Sequence, residues 1–239
     1  MDMDAELCCR AQDGSMYEGE WKDDQPWGYG VMTYVNKDEY NGPFVAGLRE
    51  GEKGTMDSQN IAGLSGVYIG DWLSDEMHGR GRLTWSDGTV YEGTFKDGLM
   101  HGIGKMTFAD DGGVYEGPFL AGLRHGVGTH TLSDGSCYVG SFFNDVREGN
   151  GKYTDAKDGS VYVGDWKNDH RGGQGSITFS NGDVYKGAFH NGVQEGEGEL
   201  TRADGSFRKG EWARGEMNGQ VGIIAYCLLL VDQAGFEPA

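Results

Sequence analysis

Residues 91–104 read Tyr-Glu-Gly-Thr-Phe-Lys-Asp-Gly-Leu-Met-His-Gly-Ile-Gly. Tyr91, Gly93 and Phe95 stand two apart, so in a β-strand they share one face while Glu92 and Thr94 take the other. Lys96-Asp97-Gly98 then supplies the residues of a tight turn. Gly102, Gly104, Met106 and Phe108 resume the period of two as a second strand, and Asp110-Asp111-Gly112-Gly113 turns the chain again before Tyr115 restarts the phrase. One unit is therefore a β-hairpin followed by a second tight turn.

The phrase Tyr-x-Gly-x-Trp/Phe recurs about every 23 residues. Its copies are Tyr17-Gly19-Trp21, Tyr40-Gly42-Phe44, Tyr68-Gly70-Trp72, Tyr91-Gly93-Phe95 and Tyr115-Gly117-Phe119, then Tyr138-Gly140-Phe142, Tyr162-Gly164-Trp166 and Tyr185-Gly187-Phe189. A ninth copy has Arg208 in the tyrosine slot, followed by Gly210 and Trp212. A fixed period of this length marks a repeat array. Arrays present surfaces, whereas enzymes use pockets where unlike residues converge. Asp87-Gly88, Asp134-Gly135, Asn181-Gly182 and Asp204-Gly205 close units with strong hairpin signals, because glycine takes positive φ without steric cost.

Glycine inside a strand weakens a sheet unless it makes room for something. The spacing predicts a tyrosine or tryptophan lying over the missing side chain of the neighbouring strand. Repeated along the chain, this gives a stacked aromatic row with glycine gaps. The expected fold is all-β: a single-layer, elongated, twisted antiparallel meander. About eighteen strands at roughly 4.8 Å each give a sheet on the order of 85 Å long, which twist curves into a trough. Residues 1–12 are expected to form an N-terminal tail, 13–226 the array, and 227–239 a C-terminal tail or cap. An insertion near 50–65, which spreads the glycine pair to Gly51 and Gly54, is expected as a loop with a bend.

Composition agrees with a thin aromatic sheet. The 239 residues include 44 Gly and only 4 Pro, and the apolar content leans on aromatics. A net charge of −18 argues against nucleic acid, where neutralisation of phosphate by Lys and Arg dominates affinity. It also leaves any peripheral contact with anionic membrane weak. Cys8, Cys9, Cys137 and Cys227 match no zinc spacing and make a poor disulfide framework. With no secretory leader in Met-Asp-Met-Asp-Ala-Glu, the expected setting is cytoplasmic, at the cytoskeleton or the inner face of a membrane. Val221–Val231, the longest apolar run, is too short to span a bilayer as a helix.

Specific chemistry finds little support. His78, His101 and His125 occupy equivalent slots, so they stand two strands, or about 9–10 Å, apart; that is too far for shared metal coordination. Asp155-x-x-Asp158-Gly159 lacks calcium-loop spacing. The nucleophile elbow, zincin and kinase signatures are absent from the sequence. No catalytic residue, metal or cofactor is expected. Gly222, Ile224 and Tyr226 continue the inner-face parity, while Cys227-Leu-Leu-Leu-Val231 has no repeat logic. That tail reads as a cap, a partner-binding segment, or a point where a longer protein continues.

Tyr-x-Gly-x-Trp/Phe, then His-Gly-x-Gly, then Asp-Gly, resembles the MORN (membrane occupation and recognition nexus) repeat, over about residues 13–226. The resemblance implies about nine β-hairpin repeats in a single-layer sheet. It also implies scaffolding, membrane–cytoskeleton tethering, protein contact, and in some members dimerisation or phosphoinositide binding. In other members the repeats accompany a phosphatidylinositol phosphate kinase or a SET-type lysine methyltransferase. Departures occur in the histidine slot, where Trp27, Glu148 and Glu195 stand, and at Arg171-Gly172-Gly173, read as carrying one extra residue.

The sequence thus predicts a non-enzymatic scaffold. Its aromatic trough takes a peptide or helix of a protein partner, or the array self-associates into a homodimer through its edges. The trough positions are Tyr17, Trp21, Tyr40, Phe44, Tyr68, Trp72, Tyr91, Phe95, Tyr115, Phe119, Tyr138, Phe142, Tyr162, Trp166, Tyr185, Phe189 and Trp212.

Overall fold

The computed structural model describes residues 4–10, 13–61 and 63–218. They form one antiparallel sheet of 21 strands; apart from two short pieces, every strand pairs with its neighbours in chain order, so the topology is a meander. Two of the strands, Leu48–Arg49 and Leu123–Arg124, are two-residue pieces that start the second strand of their hairpins. Among the described residues there is no helix, and so none long and apolar enough to cross a membrane.

The hairpin Val90–Lys96 and Leu99–Thr107 shows how a unit is built. Gly93 faces Gly104 directly, and Tyr91 faces Met106. Between Gly104 and His101 the register shifts, with Gly102 at φ +67°, a conformation that glycine adopts without penalty. The Tyr91 ring lies across the facing glycines. A Cβ on Gly104 would stand 2.4 Å from Tyr91 Cε2, and one on Gly93 would stand 2.7 Å from Gly104 Cα. The phenol then donates to the carbonyl of Thr94, 2.9 Å away, satisfying a buried hydroxyl.

Gly104 also faces Gly117 of the next unit, and the pattern continues through Gly128–Gly140, Gly151–Gly164, Gly175–Gly187 and Gly198–Gly210. A line of glycines thus crosses the sheet from Gly19 to Gly210, with a tyrosine laid over each intra-hairpin pair from Tyr17 to Tyr185. The expected aromatic row over glycine gaps is the organising feature of the fold.

Three expectations need correction. The insertion near 50–65 is not a loop: it forms Gly51–Ile61, at 11 residues the longest strand described, and the start of Leu64–Leu73. Its polar run Asp57-Ser58-Gln59-Asn60 hides an alternation in which Gly54, Met56 and Ser58 turn inward. The buried carboxylate of Asp38 holds it down, accepting from the Ser58 hydroxyl at 2.6 Å and the Gln59 amide at 2.7 Å. Second, within residues 1–12, Asp4–Arg10 is a strand antiparallel to Met16–Lys22, with Cys9 opposite Tyr17. It pairs the edge that Met16–Lys22 would otherwise leave open. Third, the Arg171 copy carries no extra residue. Arg171 faces Trp166 as Met100 faces Phe95, and Gly172 takes the slot of His101. Gly222, Ile224, Tyr226 and the run from Cys227 to Val231 lie outside the described residues.

Two substitutions test this account. Gly104→Ala forces the buried Tyr91 ring or the strand to move, and is expected to cost about 1–3 kcal/mol in urea unfolding; an unchanged midpoint contradicts the close approach. Asp38→Ala strips an acceptor from two donors and is expected to cost about 1–3 kcal/mol. Burial acts to raise the Asp38 carboxyl, but the bonds from Ser58 and Gln59, together with Asn36, outweigh it and hold the group below its usual range. Its contribution is therefore complete above the unfolded value of about 3.9 and is lost as pH falls through the lower folded value. The gap between wild type and variant closes in that acidic window.

Candidate interaction groove

The seventeen aromatic positions named from the sequence come together as one unbroken row. Each tyrosine meets the Phe or Trp four residues on in an edge-to-face contact, as in Tyr91–Phe95 at 5.1 Å, and also the Phe or Trp of the following unit, as in Tyr91–Phe119 at 4.9 Å. The row runs from Trp21 through Tyr17, Phe44, Tyr40 and Trp72 to Tyr185 and Trp212, with centroid separations between 4.8 and 5.5 Å. Such pairs contribute about 0.5–1.5 kcal/mol each beyond the area they bury.

Burial changes the role expected of this row. All of these rings except Trp21 are buried, and the tyrosines from Tyr40 to Tyr185 are at most 1% exposed. Little of their surface is open to a partner; they form the floor of the groove, where Phe95 and Trp166 line its hollows. Burial also pushes the phenols of Tyr91, Tyr115, Tyr138 and Tyr162 up to about 12, so at neutral pH they stay protonated donors to backbone carbonyls.

The surface above the floor comes from positions that the sequence reading did not single out. One lies two residues before the first glycine of each Gly-x-Gly. It holds Arg49, Met77, Met100, Arg124, Arg147, Arg171 and Gln194 in successive units. Its side chain stands beside the Phe or Trp that it faces across the hairpin, as Met100 faces Phe95 and Arg147 faces Phe142. The signal was present in the sequence, but only when the copies are aligned on their glycines.

These residues divide the groove into two chemistries. Around Met77 and Met100, with Leu64, Trp85, Leu99 and Met106, lies an apolar hollow of about 340 Å³. Further along, Arg147, Tyr153, Trp166, Arg171, Ile177 and Phe179 line a more polar hollow of about 510 Å³. The Arg147 guanidinium lies 4.4 Å from the Trp166 ring centre, and Arg124 lies 5.2 Å from that of Phe142. Between them sits His130, packed on Phe108 at 5.6 Å. Burial first, and then the nearby charge of Arg124, lower its pKa and favour the neutral ring.

The other face is exposed and mixed, with Ile69, Ile103, Val127, Val139 and Val163 open to solvent beside charged residues. Arg82 pairs with Glu92 at 2.9 Å and Lys105 with Glu116 at 3.0 Å, both in solvent, where such pairs contribute little. Among the described residues, no group of three or more His, Cys, Asp or Glu is placed to hold a metal ion.

The raised phenol values give a pH prediction. The folded values lie above the unfolded value of about 10, so this contribution is complete below pH 10 and is lost as pH rises toward 12. The melting temperature followed by circular dichroism is expected to hold to about pH 10 and then to fall steeply. A melting temperature that stays level through pH 12 contradicts the burial of the phenols.

Known proteins give the comparison. Alsin of Rattus norvegicus is 31% identical over 90 residues, which are 38% of this chain and 6% of that protein. The ALS2 C-terminal-like protein of Homo sapiens is 32% identical over 90 residues, 38% of this chain and 9% of that protein. The chain thus matches less than a tenth of the length of either relative. In fold, it is similar to the TCP10 domain of Danio rerio CPAP, solved in complex with a peptide of Danio rerio STIL. The TM-score is 0.50 at 13% identity, covering 91% of this chain and 97% of that one. The family model described as "MORN repeat" matches residues 17–39, 68–90, 91–113, 115–137, 138–160, 162–184, 185–207 and 209–220, passing over only the copy that carries the insertion. With more than half of its residues matched in register, and the same ring-over-glycine unit in each full copy, the chain belongs to the MORN repeat family.

Proposed function

We propose that this array is a non-enzymatic scaffold whose groove holds a segment of a protein partner. The observation that carries the reading is the apolar stretch of the groove. Met77, Met100 and Met106 lie only half-buried over a fully formed aromatic floor, and Leu64 and Leu99 beside them are each 47% exposed. The floor is complete without these side chains being covered, so their apolar surface is available to a partner. Methionine suits such a surface, because its unbranched, polarisable chain adapts to irregular shapes. An extended or helical segment lying across the strands fits the shape. The CPAP domain of similar fold was solved with a peptide, which agrees with this reading. The repetition of equivalent residues along the groove, in place of unlike groups converging at one point, speaks for binding over catalysis.

A photo-crosslinking amino acid placed at Met100 in cells, and separately at Ile103, tests this. Ile103 is 69% exposed on the opposite face. Crosslinked partner peptides are expected from the Met100 position and not from Ile103, and Met77→Lys combined with Met100→Lys is expected to abolish them. Recovery from Ile103 alone, or recovery indifferent to the two lysines, rejects the groove as the binding surface.

A further inference from the structure

At the groove position occupied by Arg49, Arg124 and Arg147, each guanidinium is answered by an aspartate from the hairpin turn of the next unit. Arg49 Nε stands 3.0 Å from Asp75 Oδ1, Arg124 Nε 3.1 Å from Asp145 Oδ1, and Arg147 Nε 3.0 Å from Asp169 Oδ1. The same oxygen accepts the backbone N–H of the arginine, at 2.9, 2.9 and 3.1 Å. The arginine in turn donates through Nη2 to the aspartate carbonyl. Where the groove residue is Met77, Met100 or Gln194, the corresponding turn residue is Gly98, Gly122 or Gly215. Arginine goes with aspartate, and an uncharged side chain goes with glycine.

Arg171 breaks the rule. Its turn residue is Gly192. The backbone is nevertheless placed as in the paired units: the Gly192 amide donates to the Arg171 carbonyl at 2.9 Å, as Asp145 does to Arg124 at 3.0 Å and Asp169 to Arg147 at 3.2 Å. A Cβ at Gly192 would meet nothing within 4 Å, so the space that an aspartate side chain fills in the other units is open. The Arg171 guanidinium lies 5.8 Å from the ring centres of both Tyr162 and Phe189, and no carboxylate among the described residues comes within ion-pair distance of it. Asp169, in the turn just before it, is engaged by Arg147. Asp155 and Asp158 belong to the turn at the far end of these strands.

We infer that Arg171 and the open slot over Gly192 form a receptor for a carboxylate of the partner segment. The inference rests on the groove being the partner surface, and adds to it a defined anchor of defined chemistry. An Asp or Glu side chain, or a free C-terminal carboxylate, takes the place held elsewhere by Asp75, Asp145 and Asp169, accepting from the guanidinium of Arg171. Half-buried beside two aromatic rings, this guanidinium presents a planar fork of donors that matches a charged, planar acceptor. The occupant is thus a segment with apolar residues over Met77 and Met100 and an acidic group about six strands further along, roughly 29 Å away.

The test is a random-sequence peptide library displayed on phage and selected against the full chain, with the selected peptides then synthesised and measured by fluorescence anisotropy. Peptides carrying Asp, Glu or a terminal carboxylate are expected. They are expected to lose at least about tenfold in affinity against Arg171→Gln and against Gly192→Asp. Gly192→Asp fills the slot with the chain's own carboxylate. Turns at φ +64° to +71° already hold Asp75, Asp145 and Asp169, so the variant keeps the fold. C-terminal amidation separates the two sources: it abolishes binding through a terminal carboxylate and spares binding through a side chain. Peptides weakened by Met100→Lys but indifferent to both Arg171→Gln and Gly192→Asp overturn the carboxylate receptor and leave the groove standing. Peptides indifferent to all three, or a library that yields no binder, overturn both.

Discussion

Everything in this sheet depends on one steric fact: a tyrosine ring can lie across two facing strands only where both lack a Cβ. The 2.4 Å that would separate a Gly104 Cβ from the Tyr91 ring leaves no room for any other residue. Once the ring is down, its hydroxyl reaches a backbone carbonyl three residues on, and its edge meets two neighbouring rings. A single sheet in water has no second layer to bury its face against, and most β-proteins solve this by stacking two sheets. Here the side chains fold down onto their own backbone, so that the core lies within the thickness of the sheet and its floor of rings.

This explains what the sequence could reveal. The period, the hairpins and the ring-over-glycine packing were legible because they depend on residues two apart in one strand and on a pattern repeated eight times. The insertion was misread because its inward positions are occupied by Gly54, Met56 and Ser58, which lack the aromatic signature. Its stability comes from Asp38, twenty residues away in sequence from Ser58, which no local pattern connects. The seventeen aromatics were correctly grouped, but their exposure was not legible, because strand parity identifies a face without saying how deep a side chain lies on it.

The groove residues were missed for a related reason. Arg49, Met77, Met100 and Arg124 stand two residues before a glycine at positive φ, just ahead of the register shift of each hairpin. Parity alone places them on the inner face without marking them as different from the glycines that follow. They vary from unit to unit, among Arg, Met and Gln, while the floor keeps its tyrosines and alternates only between Phe and Trp. The coupling of arginine with aspartate, and of methionine with glycine, crosses between adjacent hairpins and becomes visible only when their spatial neighbours are known.

The contact of each tyrosine with the ring of the following unit gives the array a direction. Tyr91 has its own Phe95 on one side, but its other edge is closed by Phe119, which arrives 28 residues later. No hairpin is finished by its own residues; each is completed by its successor. On a ribosome, the most recently folded unit would therefore wait with one bare ring edge until the next hairpin emerged, and assembly would advance as a front trailing synthesis by one repeat. Lengthening or shortening such a chain by whole units shifts where that front stops without altering any contact behind it.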